Sequence, residues 1–130
     1  MDPLLGALVA TSGAGLAAAG GAFGWAWRKT AGSTGDMHLH ALAPDVLVYR
    51  GFFSNSAVLV LPDRAVVIDT QTTPEVGARL RSQIAAHTNL PVKTVINTHY
   101  HGDHVGGNAA FADAEIIAPA QTARFIRERD

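Results

Sequence analysis

Four potential cation ligands fall within six residues of this chain: His99, His101, Asp103 and His104, in the run Thr98-His99-Tyr100-His101-Gly102-Asp103-His104. Directly before them, Val92 to Ile96 is rich in β-branched residues and reads as a strand that delivers Asn97 and Thr98 to this run. Directly after them come Val105 and the pair Gly106-Gly107, which allow a loop to pack closely. Such a strand has to end at a sheet edge where its donors stay accessible. In layered α/β folds, ligands collect beyond the C-terminal ends of the strands. The placement of this one run therefore constrains the architecture as well as the chemistry.

In extended backbone, side chains two residues apart point the same way, so His99 and His101 are expected to grip one cation. Asp103 and His104 are adjacent, at the turn into a following helix. They are expected to face away from the first pair and to suit a second cation. The chain has no Cys, so any metal must be held by His, Asp or Glu. Neutral imidazole favours zinc. Two zinc ions a few ångströms apart would share a bridging water, lower its pKa to about 7 and polarise a carbonyl or phosphoryl oxygen. Asp103 is read as both ligand and catalytic proton acceptor. Asp69, at the end of a neighbouring strand, is read as an outer support that hydrogen-bonds the loop or a ligand histidine. The alternative is that these are ordinary polar residues of a surface loop. Three other positions are given no ligand role. His38 and His40 read as the lead-in to the first strand, and His87 as a helix C-terminal residue suited to the dipole. Tyr100 faces away from its neighbouring histidines, either lining a pocket or packing.

The rest of the globular sequence supports an α/β layered class. Val46 to Tyr49, Ala57 to Leu61 and Ala65 to Ile68 read as strands, the last two as a hairpin around Pro62-Asp63-Arg64. Thr73-Pro74-Glu75 opens a helix with a cap, a proline at the first helical position and an acid in the first turn. Val76, Leu80 and Ile84 form its buried stripe, and Asn89-Leu90-Pro91 ends it. A short helix over 105–111, a strand over 115–118 and a helix over 119–129 complete the order.

The N-terminus is different in kind. Leu4 to Trp27 carries no charge and is long enough to cross a bilayer as a helix. Trp25 and Trp27, followed by Arg28 and Lys29, resemble an interfacial belt and anchor. This segment is read first as a single transmembrane helix, with a cleaved export signal or a flexible Gly/Ala leader as alternatives. The side of the membrane is left open. The chain is thus divided into a leader (1–29), a linker (30–43) and a globular domain (44–130). A net charge of -1 and the lack of a basic stripe give no reason to expect nucleic acid as a partner. The expected partners are a small-molecule substrate and, through residues 4–27, a membrane.

The run from Thr98 to Gly107 resembles the signature of the metallo-β-lactamase fold superfamily of metallohydrolases, and the segment Ser56 to Thr70, ending in Asp69, is similar to the aspartate motif that precedes it in that family. The resemblance covers about Pro44 to Asp130. It implies an αβ/βα sandwich, with His99 and His101 on one metal and Asp103 and His104 on the other. A histidine at position 104 fits the glyoxalase-II-like members and one lactamase subclass. The family completes its site with further histidines and a bridging acid from its second half. No His follows His104, so this chain is expected to be an N-terminal half, a fragment of a longer protein. The implied activity is hydrolysis of an acyl substrate: an ester, thioester, lactone or β-lactam. The alternatives on the same scaffold are an iron-dependent persulfide dioxygenase and a phosphodiesterase. A third is a truncated metal-binding membrane protein without activity.

Overall fold

In the computed structural model, which describes residues 37–128, six strands form one sheet in chain order. They are β1 (Leu39–Ala43), β2 (Val46–Arg50), β3 (Asn55–Val60), β4 (Ala65–Ile68), β5 (Val92–Ile96) and β6 (Glu115–Ile117). Neighbours from β1 to β4 pair antiparallel; β4, β5 and β6 run parallel. Parallel neighbours need crossovers. Helix α1 (Pro74–His87) makes the first. The short helix α2 (Gly102–Val105) and a 3-10 turn (Asn108–Phe111) make the second, and helix α3 (Ala120–Arg127) follows β6. The charge-free segment 4–27 lies outside the described residues. Among those residues, no helix is long and apolar enough to cross a membrane.

Register explains which face is the core. Leu47, Val58, Val67 and Val95 are partners in a row across β2 to β5, each at most 1% exposed. Tyr49 of β2, Leu80 and Ile84 of α1 and Phe111 of the 3-10 turn are the other large fully buried side chains of the core. The opposite face carries Val46, Ala57, Leu59, Ile68 and Ile96, all only half-buried, beside the buried Val48 and Val66.

Helix α1 starts as its sequence dictates. The Thr73 side chain accepts from the Val76 amide at 3.3 Å, Pro74 follows it, and the helix ends at His87. Its buried stripe is Gly77, Leu80 and Ile84, with Val76 half-exposed. Gly77 displaces Val76 because the backbone of Gly107 passes against it: a Cβ on Gly77 would lie 2.7 Å from the Gly107 carbonyl oxygen. Arg81 fastens the same two elements, donating to the Ala110 carbonyl at 2.7 Å and pairing with Asp113. That guanidinium holds the Asp113 carboxyl down at about 2.

Two expectations are corrected. The stretch read as linker, 30–43, contains β1, which pairs with β2 through Leu39↔Tyr49 and Ala41↔Leu47. Its sequence, Leu-His-Ala-Leu-Ala, has no strong strand preference; the partner strand supplies the reason to extend. The helix expected over 105–111 is two pieces, α2 beginning already at Gly102 and the 3-10 turn beginning at Asn108. Between them Gly106 and Gly107 press on backbone, where added Cβ atoms would meet the carbonyl oxygens of Thr72 and Thr70 at 1.9 Å.

Gly107→Ala is therefore expected to destabilise the fold by about 3 kcal/mol, the upper end of typical overpacking costs, because rigid backbone stands in the way. Urea unfolding of the variant measures this; a loss below about 0.5 kcal/mol, the range of neutral surface changes, contradicts it.

Candidate metal centre

The parallel strands β4 and β5 end side by side, and each delivers one part of the site. Asp69 follows β4; Asn97, Thr98 and His99 follow β5. The Asp69 amide donates to the Ile96 carbonyl at 2.8 Å, extending the ladder by one rung. Beyond that rung the backbone bends sharply. Asp69 has φ 60° and Gln71 φ 77°, both in the left-handed region. Each costs on the order of 1–3 kcal/mol and persists only where its surroundings fix it. Here Thr70 N donates to the His104 carbonyl at 2.8 Å, and Gly107 N to the Gln71 carbonyl at 3.1 Å.

The Asp69 carboxylate is 4% exposed. Its Oδ1 accepts from the Thr98 amide at 2.8 Å. Its Oδ2 accepts from the Thr98 hydroxyl at 2.7 Å and from His104 Nδ1 at 2.8 Å. A carboxylate only accepts, so His104 carries a hydrogen on Nδ1 and its Nε2 points elsewhere. Thr98 has spent its one hydroxyl hydrogen on Asp69. Its oxygen, 2.9 Å from His99 Nδ1, therefore accepts from that nitrogen. His99 is held below the usual imidazole range, first by burial and then by the neighbouring His104 and His101, against opposing pulls from Asp69 and Asp103. It is thus neutral at pH 7, with a lone pair on Nε2.

The rings converge. His99 and His104 lie 4.0 Å apart between centroids, His99 and His101 4.8 Å. His104 Nε2 is 3.3 Å from Asp103 Oδ2. With Nδ1 committed to Asp69, a lone pair on that Nε2 would face a carboxylate oxygen. The contact demands a positive charge there, a proton or a metal cation. Donor atoms of Asp69, His99 and His104 all lie within 4.8 Å of one another.

The expectation that His104 faces away from the first pair is corrected for His99, whose ring it meets. Helix α2 begins one residue after His101, so His104 is helical and its ring turns back toward β4, where Asp69 receives it. His101 is exposed, its ring beside His99. Tyr100 faces α3, its ring 4.5 Å from that of Phe125. His38 and His40 are exposed near β1, and His87 is exposed at the end of α1.

Several contributors went unseen in the sequence. Ser54, in the β2–β3 turn, donates to the Asp103 carbonyl. Beside it Phe52 and Phe53, 41% and 49% exposed, form an edge-to-face pair with centroids 4.5 Å apart. Thr70, Asn97 and Asn108 form a side-chain network behind the ligand loop. The only local signal was polarity at strand ends; the turn that carries Ser54 is 49 residues from Asp103.

With this geometry established, likeness to known proteins is informative. The family model for the metallo-beta-lactamase superfamily matches residues 49–121, more than half of the chain. The linear primary-alkylsulfatase of Pseudomonas sp. (strain ATCC 19151) is 22% identical over 67 residues, 52% of this chain and 13% of that protein. The hydroxyacylglutathione hydrolase of Xanthomonas euvesicatoria pv. vesicatoria (strain 85-10) is 35% identical over 69 residues, 49% of this chain and 25% of that protein. Among solved structures, a metallo beta lactamase from Hirschia baltica superposes with a TM-score of 0.64 at 23% identity, covering 71% of this chain and 47% of that one. That likeness is one of fold. The chain spans a quarter or less of these curated relatives and about half of the solved structure.

Two measurements check the site. Asp69→Asn keeps a residue that tolerates the left-handed region but sets an amide where His104 needs an acceptor. Zinc affinity, read by chelator competition, is expected to fall about 10- to 100-fold; equal affinity would remove Asp69 from the site. In the cation-free protein, NMR titration is expected to show His99 protonating below the ordinary imidazole value near 6.5. Since its folded value is the lower one, the stability it contributes is complete above the unfolded value and is lost as pH falls below it. A midpoint at or above 6.5 contradicts this.

Proposed function

Since this chain belongs to the metallo-β-lactamase superfamily, we propose that it forms the zinc-binding part of a hydrolase for acyl substrates, with His99, His101, Asp103 and His104 as its metal ligands. The observation that carries this reading is the close approach of two candidate ligand atoms at the centre. His104 Nε2 and Asp103 Oδ2 lie 3.3 Å apart, while His104 Nδ1 is committed to Asp69. A cation between them satisfies both. His99 supports the reading, because its neutral form is the one that ligates. A dinuclear zinc centre is the expected complement, with iron as the other candidate. Divalent cations held there would make hydroxide available near neutral pH and polarise the substrate's carbonyl oxygen.

The chain's own residues then have distinct tasks. Asp69 fixes the His104 tautomer and ring direction, and through Thr98 it does the same for His99. Asp103 is both ligand and general base: it takes up the proton that the attacking water loses and passes it to the leaving group. Ser54, which follows the exposed Phe52 and Phe53 in the β2–β3 turn, ties that turn to the backbone of Asp103. An acyl substrate agrees with the activity that the name of the hydroxyacylglutathione hydrolase states. The aromatic pair favours a second reading, a linear alkyl sulfate, because it offers apolar surface to a hydrocarbon chain. Membrane attachment or export through residues 4–27 belongs to the same proposal and rests on their charge-free sequence alone.

Equilibrium dialysis of the chain against zinc and against iron, followed by assays on a glutathione thioester, a β-lactam and a primary alkyl sulfate, tests the reading. Zinc is expected to bind, and His104→Ala to weaken it at least tenfold. A chain that retains neither metal refutes the proposal. Turnover of the alkyl sulfate alone would select the second reading.

A further inference from the structure

All four candidate ligands lie on the segment 98–107, and its two ends are joined by a pair of side-chain amides. Asn97 Nδ2 donates to Asn108 Oδ1 at 3.1 Å, and Asn108 Nδ2 donates back to Asn97 Oδ1 at 2.9 Å. Asn97 is fully buried, and its backbone amide donates to the Ile117 carbonyl at 2.9 Å, so one half of the clasp is built into the sheet. Asn108 opens the 3-10 turn whose last residue, Phe111, is fully buried in the core. Both halves are thus anchored outside the segment they close.

A third partner connects the clasp to a ligand. The Thr70 hydroxyl donates to Asn108 Oδ1 at 2.8 Å and lies 3.3 Å from the His104 carbonyl oxygen, which also accepts from the Thr70 amide. Consecutive residues therefore hold opposite parts of His104: Asp69 its ring, Thr70 its carbonyl. The clasp holds Thr70. A polar network of this kind restricts a loop to one arrangement only if every member is satisfied. Here Asn108 Oδ1 takes two hydrogen bonds, and Asn97 Oδ1 one.

We propose that the reciprocal Asn97–Asn108 amide pair is a positioning device that closes the neck of segment 98–107 and presets its ligands in one conformation, so that breaking it weakens cation binding more than it weakens the fold. This rests on the metal-binding reading given above. It assigns neither asparagine any contact with a cation or a substrate.

The test uses the full chain and three variants: Asn108→Ala, which deletes the clasp; Asn108→Asp, which keeps the acceptor for Thr70 and Asn97; and Thr70→Val, which removes only the hydroxyl. Two readouts are needed. The first is amide hydrogen exchange without metal. Asn108→Ala is expected to speed exchange of amides 98–107 at least tenfold and to leave those of β3, β4 and β5 unchanged. The second is Co2+ binding, followed by its visible absorption bands. Affinity is expected to fall at least tenfold in Asn108→Ala and less in Asn108→Asp, with band positions shifted as the ligand geometry loosens. If Asn108→Ala fails to fold, Thr70→Val is expected to show the same pattern at smaller amplitude. Exchange that rises equally across β3, β4 and β5, or unchanged affinity and spectrum in a destabilised variant, makes the clasp merely structural and overturns the proposal. A wild-type chain that binds no Co2+ or Zn2+ overturns the metal reading instead. In that case exchange confined to 98–107 still supports the clasp, and uniform exchange still overturns it.

Discussion

One buried carboxylate holds the two halves of this site together. Asp69 receives three hydrogen bonds, from the Thr98 amide, the Thr98 hydroxyl and His104 Nδ1. Without those donors it would be a charge 4% exposed with nothing to compensate it, which is costly in any protein interior. The donors in turn lie on the segment that follows β5, not on the strand that carries Asp69. Satisfying one buried acid thus fixes the relation between two strand ends and commits two imidazoles to defined tautomers.

The backbone around it is arranged to the same end. Positive φ at Asp69 and Gln71 is unfavourable by itself, and the hydrogen bonds to Ile96, His104 and Gly107 hold it in place. Close approach of the Gly77, Gly106 and Gly107 backbones leaves no slack for the loop to retreat. Rigidity and reactivity are divided between layers. The buried layer contains apolar side chains and polar groups that are hydrogen-bonded, apart from Tyr49 Oη and Gln71 Oε1. The outer layer, where His101 and Asp103 lie, keeps donors available.

Much of this was legible from residues alone, where interactions are local. Thr73-Pro74-Glu75 specified the start of α1 because capping involves only the next three residues. The strands from β2 to β6 were readable from β-branched runs and turn residues, β4 and β5 to the residue, while ends of β2, β3 and β6 shifted by one or two positions. Strand β1 was missed because its reason for extending is the β2 edge, not its own sequence. The direction of His104 was misjudged because helix α2 starts at Gly102 instead of after His104, and one residue in a helix turns a side chain by about 100°. Ser54, Asn97 and Asn108 carried no signal beyond their polarity, since Ser and Asn are common in turns everywhere.

Chemistry and class were written in the chain itself: donor types, their spacing, the lack of cysteine and the strand before them depend only on local sequence. Tertiary structure decided which donors meet. Asp69 and His104 are 35 residues apart, and only the parallel pairing of β4 with β5 brings them within 2.8 Å. Long-range pairing depends on the register of the whole sheet and on loop closure, and neither is a property of any short stretch of residues.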